Sequence, residues 1–559
     1  MGVTKVFAES QARVSTERTF HVIGKGDVDQ IQNRDRRQFR FSPYEPTGLY
    51  ASPNEKITLQ VDGTQNIQAY IGTVSYDGAW NEDSRVKSFT LKPGENTIES
   101  PNGGMIYLYN PQQDGTVQAE IKTGGVSTPF FELGKHTKQD LINMLDTYPN
   151  AHAVELKGER SLITASPERV KKYLLGSNTD PVELLKKIDE AIRIEDQVAS
   201  LSEEEADKHY IHFVEDNHGD GYMYAFNGRT AYIGDAMQHV LDINKFTKDG
   251  WGPWHEMGHQ RQQAPWLWDG LTEVTTNIYS MSVQRAFGNP SRLESDKTYE
   301  KALAYLNKPE SEKDYNKIDD VFMKVVMFWQ LDLAFGEDFY PKLHQLYRSI
   351  SKEELPNTSD EKIQDFIYNT SRVAKQNLLP FFDKWGLMAS SETRQKIEAM
   401  NYPTLTAPIW ESTDSKPVKP LALLSNKIMK ATANSEESWH DPASNAIDGN
   451  PNTIWHSKWS TPNQYPANLT LDLGETRTIT QLSYLSRQDA SANGRILSYN
   501  IYTSTDGVTY QKVASGTWEN SKQQQSAKFN PVSAKYVKLE VVNGMNGFAS
   551  AAEINILGY

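Results

Sequence analysis

The hydrophobic period of this chain changes twice, and that rules out a fold built on one kind of layer. Up to about residue 130 the period is 2. Ile57, Leu59 and Val61 alternate with polar neighbours, as do Ile67, Ala69 and Ile71, the mark of half-buried strands. Met105-Ile106-Tyr107-Leu108-Tyr109 is a further strand candidate, and Asp62-Gly63, Asn102-Gly103-Gly104 and Asp114-Gly115 supply turns. An antiparallel β-sandwich over residues 1–130 is expected. Helical spacing follows. Ser166-Pro167-Glu168 and Asp180-Pro181 read as helix starts, a cap followed by proline at the first position. Leu184, Leu185, Ile188 and Ile192 then fall on one helical face. Asn227-Gly228, inside the aromatic stretch Tyr222 to Tyr232, reads as a hairpin turn. Helical patterning continues to about residue 400, which predicts a mixed, mostly helical domain over 131–410. Thr404 to Leu424 is rich in Thr, Pro and Ser, so residues 411–424 read as a linker or a strapped connection. Period 2 returns from about Asn426. Leu469-Leu471-Leu473 and Tyr536 to Val541 are strand candidates, with Asp506-Gly507 as a hairpin turn, so a second β-sandwich is expected over 425–559.

Composition narrows the chemistry. There is no cysteine, so disulfides, thiolate metal sites and thiol nucleophiles are excluded, and any metal must be held by His, Asp, Glu or backbone oxygen. The net charge is -14, and the one basic cluster, Arg34, Arg36, Arg37 and Arg40, is interrupted by Asp35. Nucleic acid is therefore not an expected partner. No apolar run reaches the length of a membrane span. The Met1-Gly2 start carries no apolar signal core, and the chain is expected to be a secreted or cell-surface bacterial protein whose leader has been removed.

Trp254-His255-Glu256-Met257-Gly258-His259 contains His-Glu-x-x-His. On a helix, residues four apart share a face, so His255 and His259 can reach one ion, with Glu256 on the flank to meet a metal-bound water as general base. Downstream, Gly270 can break the loop and Glu273 opens a second helical run. Two histidines on one helix and a glutamate on the next form a catalytic zinc set; an ordinary surface carboxylate is the alternative for Glu273. Asn277, one turn further, stands where an acid commonly orients a ligand histidine, a role an amide fills more weakly. Tyr279, Tyr232 and His239 are candidate oxyanion partners, each more readily read as structural. Core packing is the first reading for Trp251, Trp254, Trp266 and Trp268. His209, His212 and His218, with Glu215, Asp216 and Asp220, read as a solvated loop rather than a second metal site.

His-Glu-Met-Gly-His-Gln followed by Glu273-Val-Thr-Thr-Asn-Ile-Tyr-Ser280 resembles the enhancin and mucin-degrading zinc metallopeptidases, a gluzincin group. Phe328 to Gly336 with Phe339-Tyr340-Pro341, and Thr47-Gly48-Leu49-Tyr50 with Asn102-Gly103-Gly104, extend the likeness over about residues 35–400. The resemblance implies cleavage of mucin-type O-glycosylated proteins, with the Tyr222 to Tyr232 hairpin offering an edge strand to extended substrate. From residue 424 on, Asn445-Ala-Ile-Asp-Gly-Asn-Pro-Asn-Thr-Ile-Trp-His456 and Phe548-Ala-Ser-Ala-Ala-Glu-Ile554 resemble the discoidin, or factor 5/8 type C, sandwich, and more narrowly the family-32 carbohydrate-binding modules. That likeness implies a structural calcium on Asp448, Thr453 and Glu553 with backbone carbonyls of Asn445, Asn450 and Ala552, an oxygen-donor set suited to calcium. It also implies binding of galactose or N-acetylgalactosamine by His456, Arg487, Asn493 and Phe548. Two other functions remain open at this stage: a zinc endopeptidase with no glycan requirement, and a glycan-binding adhesin whose protease fold is inactive.

Overall fold

The period-2 segments become two facing antiparallel sheets. Strands β1 (Thr19–Ile23), β3 (Lys56–Asp62), β6 (Gly94–Glu99) and β8 (Thr116–Thr123) form one, in the order β1-β8-β3-β6. Strands β2 (Glu45–Ala51), β4 (Ile67–Ile71), β5 (Lys87–Leu91), β7 (Gly104–Tyr109) and β9 (Val126–Ser127) form the other, in the order β5-β4-β7-β2-β9. Leu59, Val61, Ile67, Ala69, Leu108 and Ile121 meet between them with essentially no exposure. The computed structural model describes residues 17–202, 204–420, 422–424 and 429–558; the Met1-Gly2 start and the Asn426 boundary lie outside the described residues. The chain divides into two compact units between Val418 and Lys419, and this first sandwich shares a unit with the helical region.

The helical region is built on a six-stranded sheet that periodicity revealed only at its hairpin. Its order is β10 (Phe130–Glu132), β11 (Val154–Lys157), β12 (Ser161–Ala165), β13 (Ile211–Asp216), β15 (Arg229–Ile233) and β14 (Met223–Phe226). Strands β12, β13 and β15 run parallel, and β14 returns antiparallel to β15 through Asn227-Gly228, where Gly228 takes a positive φ of 77°. The reading of residues 209–220 as a solvated loop is corrected here. β13 lies inside the sheet and all six of its residues are buried. Its polar side chains are tolerable because each finds a partner. His212 pairs with Thr164 Oγ1 at 2.8 Å, Glu215 with Arg169 at 2.6 Å, and Asp216 accepts from the Tyr224 hydroxyl at 2.7 Å.

Helix α1 (Pro181–Val198) is capped by Asp180, whose side chain accepts from Val182 N at 2.9 Å. It lays Leu184, Leu185, Ile188 and Ile192 on the sheet with no exposure, contributing about 1.5–3 kcal/mol per side chain. Helix α2 (Trp251–His259) and helix α3 (Thr272–Ala286) pack on one another. Behind them Val321–Phe335 carries a second apolar core that takes in Trp266, Trp268, Phe328 and Trp329. The Pro- and Ser-rich stretch before Val418 is strapped onto that helix. Trp410 O accepts from Gln330 Nε2 at 2.7 Å, and Asp414 accepts from Trp329 Nε1 at 2.8 Å and from the Tyr299 hydroxyl at 2.7 Å.

The second unit is a β-sandwich. Its main sheet runs β16 (Ala422–Leu423), β24 (Glu553–Gly558), β19 (Ala467–Leu485), β22 (Gln525–Gly544), β20 (Ile496–Ser504) and β21 (Gln511–Thr517), with β17 (Lys430–Ala433) on β19. β19 and β22 are long, and their pairing breaks register between Asp472 and Arg477, so one strand pair bends to serve both layers. Leu469, Leu471, Leu482, Leu539 and Ile556 fill the space between. A short pair, β18 (Trp455–His456) with β23 (Ser550–Ala551), brings the two chain-distant loop motifs together.

Candidate functional site

Gly258 sets the distance between the two helices that carry the motif. A Cβ there would lie 2.6 Å from Thr276 Oγ1 and 2.7 Å from the Thr276 carbonyl, so only glycine permits the approach of α2 to α3. Thr276 locks the contact by donating to the His255 carbonyl at 2.5 Å. The turn between the helices passes through Gly270 at a φ of 84°, and Glu273 arrives in the first turn of α3. His255, His259 and Glu273 then converge, with their ligand atoms all within 4.8 Å of one another.

The hydrogen bonds behind the histidines fix what they offer. His255 Nδ1 lies 2.8 Å from Asn277 Oδ1, and His259 Nδ1 lies 2.8 Å from Gln262 Oε1. Both amides are oriented by their nitrogens: Asn277 Nδ2 donates to the Glu273 carbonyl at 2.8 Å and Gln262 Nε2 to the Thr272 carbonyl at 2.8 Å. An amide oxygen can only accept, so each Nδ1 carries the ring proton and each neutral ring presents a lone pair on Nε2. Those two Nε2 atoms stand 3.1 Å apart, with Glu273 Oε2 at 2.9 Å from one and 3.5 Å from the other. Two lone pairs and a carboxylate have no proton to share among them and need a cation. Donors bound at about 2.0–2.1 Å on a tetrahedral ion lie about 3.3 Å apart, which these separations match. The donor set therefore fits zinc.

Glu256 lies beside the ligands on α2 and is only 7% exposed. Burial pushes its carboxyl up to about 7, and the Glu273 charge adds to the rise. A carboxylate poised near neutrality can take and return a proton. Edge strand β14 runs alongside: a Cβ on Gly252 would meet Met223 Sδ at 2.4 Å, and Gln260 Nε2 donates to the Phe226 carbonyl at 3.2 Å. The outer edge of β14 pairs with no strand among the described residues.

Other sequence candidates are placed as follows. Tyr279 and Tyr232 are fully buried, their hydroxyls donating to the Arg261 carbonyl at 2.9 Å and Thr230 Oγ1 at 3.1 Å, so both are structural. His239 pairs with the Tyr222 hydroxyl at 2.6 Å. Trp254, Trp266 and Trp268 are core residues, while Trp251 is partly buried under the Arg292 guanidinium. Sequence reasoning missed Gln262, which lies in the turn just after α2 and folds back onto the His259 ring. It also missed Arg261, which is fully buried and paired with Glu195 at 2.8 Å and Asp196 at 3.0 Å, anchoring the end of α2 to α1.

In the second unit, Asp448 and Glu553 come together from distant parts of that unit's sequence. Thr453 Oγ1 donates to Asp448 Oδ2 at 2.7 Å and lies 2.9 Å from the Asn450 carbonyl. Asn445 Nδ2 donates to the Ile454 carbonyl at 3.0 Å. Ala552 precedes Glu553, and its N–H donates to the Leu485 carbonyl. Burial and the neighbouring Asp448 charge push the Glu553 carboxyl up to about 7, and its Oε1 is buried with no hydrogen-bond partner. Two carboxylates turned on each other with an orphaned oxygen fit a hard cation. Beside them His456, Arg487, Asn493 and Phe548 line one cleft of about 440 Å³. The His456 and Phe548 rings are 5.2 Å apart. Arg487 donates to the Asn493 carbonyl at 3.1 Å and is braced by Asp489. Trp459 also lines this cleft, a residue the sequence reading did not single out.

Comparison with known proteins gives consistent matches along the chain. Residues 8–123 match the N-terminal domain of M60-like peptidases, residues 124–386 match peptidase M60, enhancin and enhancin-like, and residues 430–554 match the F5/8 type C domain. A functionally unknown conserved protein from Bacillus anthracis is 44% identical, with a TM-score of 0.68 over 81% of this chain and 96% of that one. A metallopeptidase solved in complex with Tn antigen is 18% identical, covers 71% of this chain and 80% of its own, and shares the fold at a TM-score of 0.58. A sialidase of Micromonospora viridifaciens is 42% identical over 135 residues, which is 23% of this chain and 21% of the sialidase. The chain spans between about a fifth and two fifths of the length of the curated relatives it matches.

Proposed function

Because the chain belongs to the M60 peptidases, the enhancin and enhancin-like metallopeptidases, we propose that it is a secreted or cell-surface zinc endopeptidase acting on mucin-type O-glycosylated proteins, with its C-terminal module binding galactose- or N-acetylgalactosamine-containing glycans. The observation that carries the reading is the pair of Nε2 atoms 3.1 Å apart, closed by Glu273. His255, His259 and Glu273 would hold the ion. Zinc held there would supply a Lewis acid for the scissile carbonyl and would lower the pKa of a water toward about 7. Glu256 is placed to take a proton on its carboxylate and to return it to the leaving amine. Asn277 and Gln262 keep the two imidazoles in the tautomer that coordinates. The unpaired edge of β14 offers backbone hydrogen bonds to an extended peptide, which orients the scissile bond.

Two lines favour a glycoprotein substrate. The second unit supplies a lectin-like cleft with an arginine, an amide, an imidazole and a ring suited to a galactoside, and a metallopeptidase that shares the fold was solved in complex with Tn antigen. Asp448, Asn450, Thr453, Asn445, Ala552 and Glu553 are proposed as the calcium loop that supports that cleft. An adhesin with a spent protease fold is the less economical reading, because Glu256, which a pure binding scaffold does not need, is in place. Incubation with sialidase-treated mucin, with and without a chelator, tests the proposal. Cleavage that the chelator stops is expected; no cleavage, or cleavage indifferent to the chelator, rejects it.

A further inference from the structure

The N-terminal sandwich reaches toward the zinc helix through one connection. Residues 72–86, between β4 and β5, leave the sandwich and lie against the β14–β15 hairpin. Their anchor is Arg229, the first residue of β15, whose side chain is fully buried. Its guanidinium spends all five of its N–H bonds. Nε donates to Ser75 Oγ at 3.0 Å. Nη1 donates to Asp83 Oδ2 and to the Asn227 carbonyl, both at 2.9 Å. Nη2 donates to Asp83 Oδ1 and to the Trp80 carbonyl, both at 2.8 Å. All but the Asn227 bond cross from the hairpin to the sandwich connection. A buried cation is tolerable only when it is paired and fully hydrogen-bonded, and a lysine could not span this set.

Ser75 adds a second tie. It holds a φ of 64°, in the region that favours glycine, and it is 1% exposed. That backbone sets its hydroxyl between Arg229 Nε and the Tyr224 hydroxyl, the latter 2.7 Å away. Tyr224 gives its one proton to Asp216 of β13, so Ser75 donates to Tyr224, and the tie reaches into β14. On the other side Gln260, the residue after His259, donates from Nε2 to the carbonyls of Phe226 and Arg229, both at 3.2 Å. β14 has four residues and pairs with β15 alone among the described residues. Such a ladder is too short to order itself, so these side-chain clamps set the place of β14 beside α2. A peptide that pairs on a strand already fixed is spared the entropy of ordering that strand.

We propose that Arg229 and Asp83 are positioning residues for the peptide substrate: they clamp β14 at a fixed offset from the zinc helix, which makes the N-terminal sandwich a working part of the peptide site. This rests on the reading of β14 as the strand that pairs with substrate. Asp83 is the place to test it, because its side chain is 44% exposed and water can replace what Asp83→Ala removes. Asp83→Asn keeps one acceptor and serves as partial rescue. Three quantities are read on the full zinc-loaded chain: amide hydrogen exchange over residues 222–228, zinc affinity by chelator competition, and KM and kcat for a peptide carrying one O-linked N-acetylgalactosamine. In Asp83→Ala, exchange and KM are each expected to rise about 10-fold, the scale of one lost charge-assisted hydrogen bond. Zinc affinity and kcat are expected to hold, and Asp83→Asn should fall between wild type and Asp83→Ala. If the alanine variant does not fold, the same criteria apply to Asp83→Asn alone. Unchanged exchange overturns the clamp while leaving β14 as the substrate strand. Faster exchange with unchanged KM overturns that strand's role and the inference together. A fall in zinc affinity, or in kcat at constant KM, assigns the pair to the metal site and overturns its role toward peptide. Wild type that cleaves no peptide overturns the inference along with the proposed function.

Discussion

Glu256→Gln should change how stability depends on pH in the metal-free protein, by an amount the structure sets. Burial lifts the Glu256 carboxyl from an ordinary 4.5 to about 7. The folded state therefore binds this proton more tightly than the unfolded state. The stability it contributes is fully present below pH 4.5 and is lost as pH rises to about 7. At about 1.4 kcal/mol per pH unit, ionising the buried carboxyl costs on the order of 3 kcal/mol across that window. Glutamine is isosteric and cannot ionise, so the variant lacks this slope. Glu155 and Glu195, lifted by burial to about 7 and about 8, act identically in both proteins and cancel in the difference. Urea unfolding of chelator-treated wild type and variant from pH 5 to 8 measures it. The gap in favour of the variant should widen by about 1.4 kcal/mol per pH unit up to about pH 7 and then level. A gap constant across the range would refute the reasoning, because Glu256 would then ionise alike in both states.

Further outcomes follow from the same contacts. With metal restored, Glu256→Gln should lose turnover while retaining the ion, checked by metal analysis beside a peptide-cleavage assay. Asn277→Ala removes the acceptor that fixes the His255 tautomer and should weaken zinc binding about 10- to 100-fold, measured by competition with a fluorescent chelator. Calcium should raise the melting temperature of the second unit, and Asp448→Ala should abolish that rise; at a concentration a hundred times the dissociation constant the stabilisation is about 2.7 kcal/mol. Phe548→Ala should weaken binding to a galactoside column without altering cleavage of a small glycopeptide.

The motif was legible because its geometry is local. Four residues of helix separate His255 from His259, and Gly270 marks the turn that returns Glu273. The hairpin at Asn227-Gly228, helix α1 and the alternating strands of both sandwiches were legible for the same reason. Strands β11, β12 and β13 were not. They are buried on both faces, so they lack alternation, and they carry Glu155 together with His212, Glu215 and Asp216, the last three of which read as a solvated loop. Their partners lie far along the chain: Glu155 accepts from Tyr107 of the first sandwich at 2.6 Å, and Glu215 pairs with Arg169. No window of sequence contains both halves of such a pair. Glu437 is a further case: it accepts from Trp439 Nε1 within its own loop and from the Trp459 N–H across 22 residues.

The central claim is that this chain is a metallopeptidase whose substrate is the glycosylated form of a peptide. A matched pair decides it: one peptide carrying a single O-linked N-acetylgalactosamine on Ser or Thr, and the same peptide bare, each incubated with the zinc-loaded chain and with its chelated form. Cleavage of the glycopeptide alone, and only with metal, is the predicted result. Equal cleavage of both peptides would contradict the glycoprotein specificity, and cleavage surviving chelation would contradict the metal site itself.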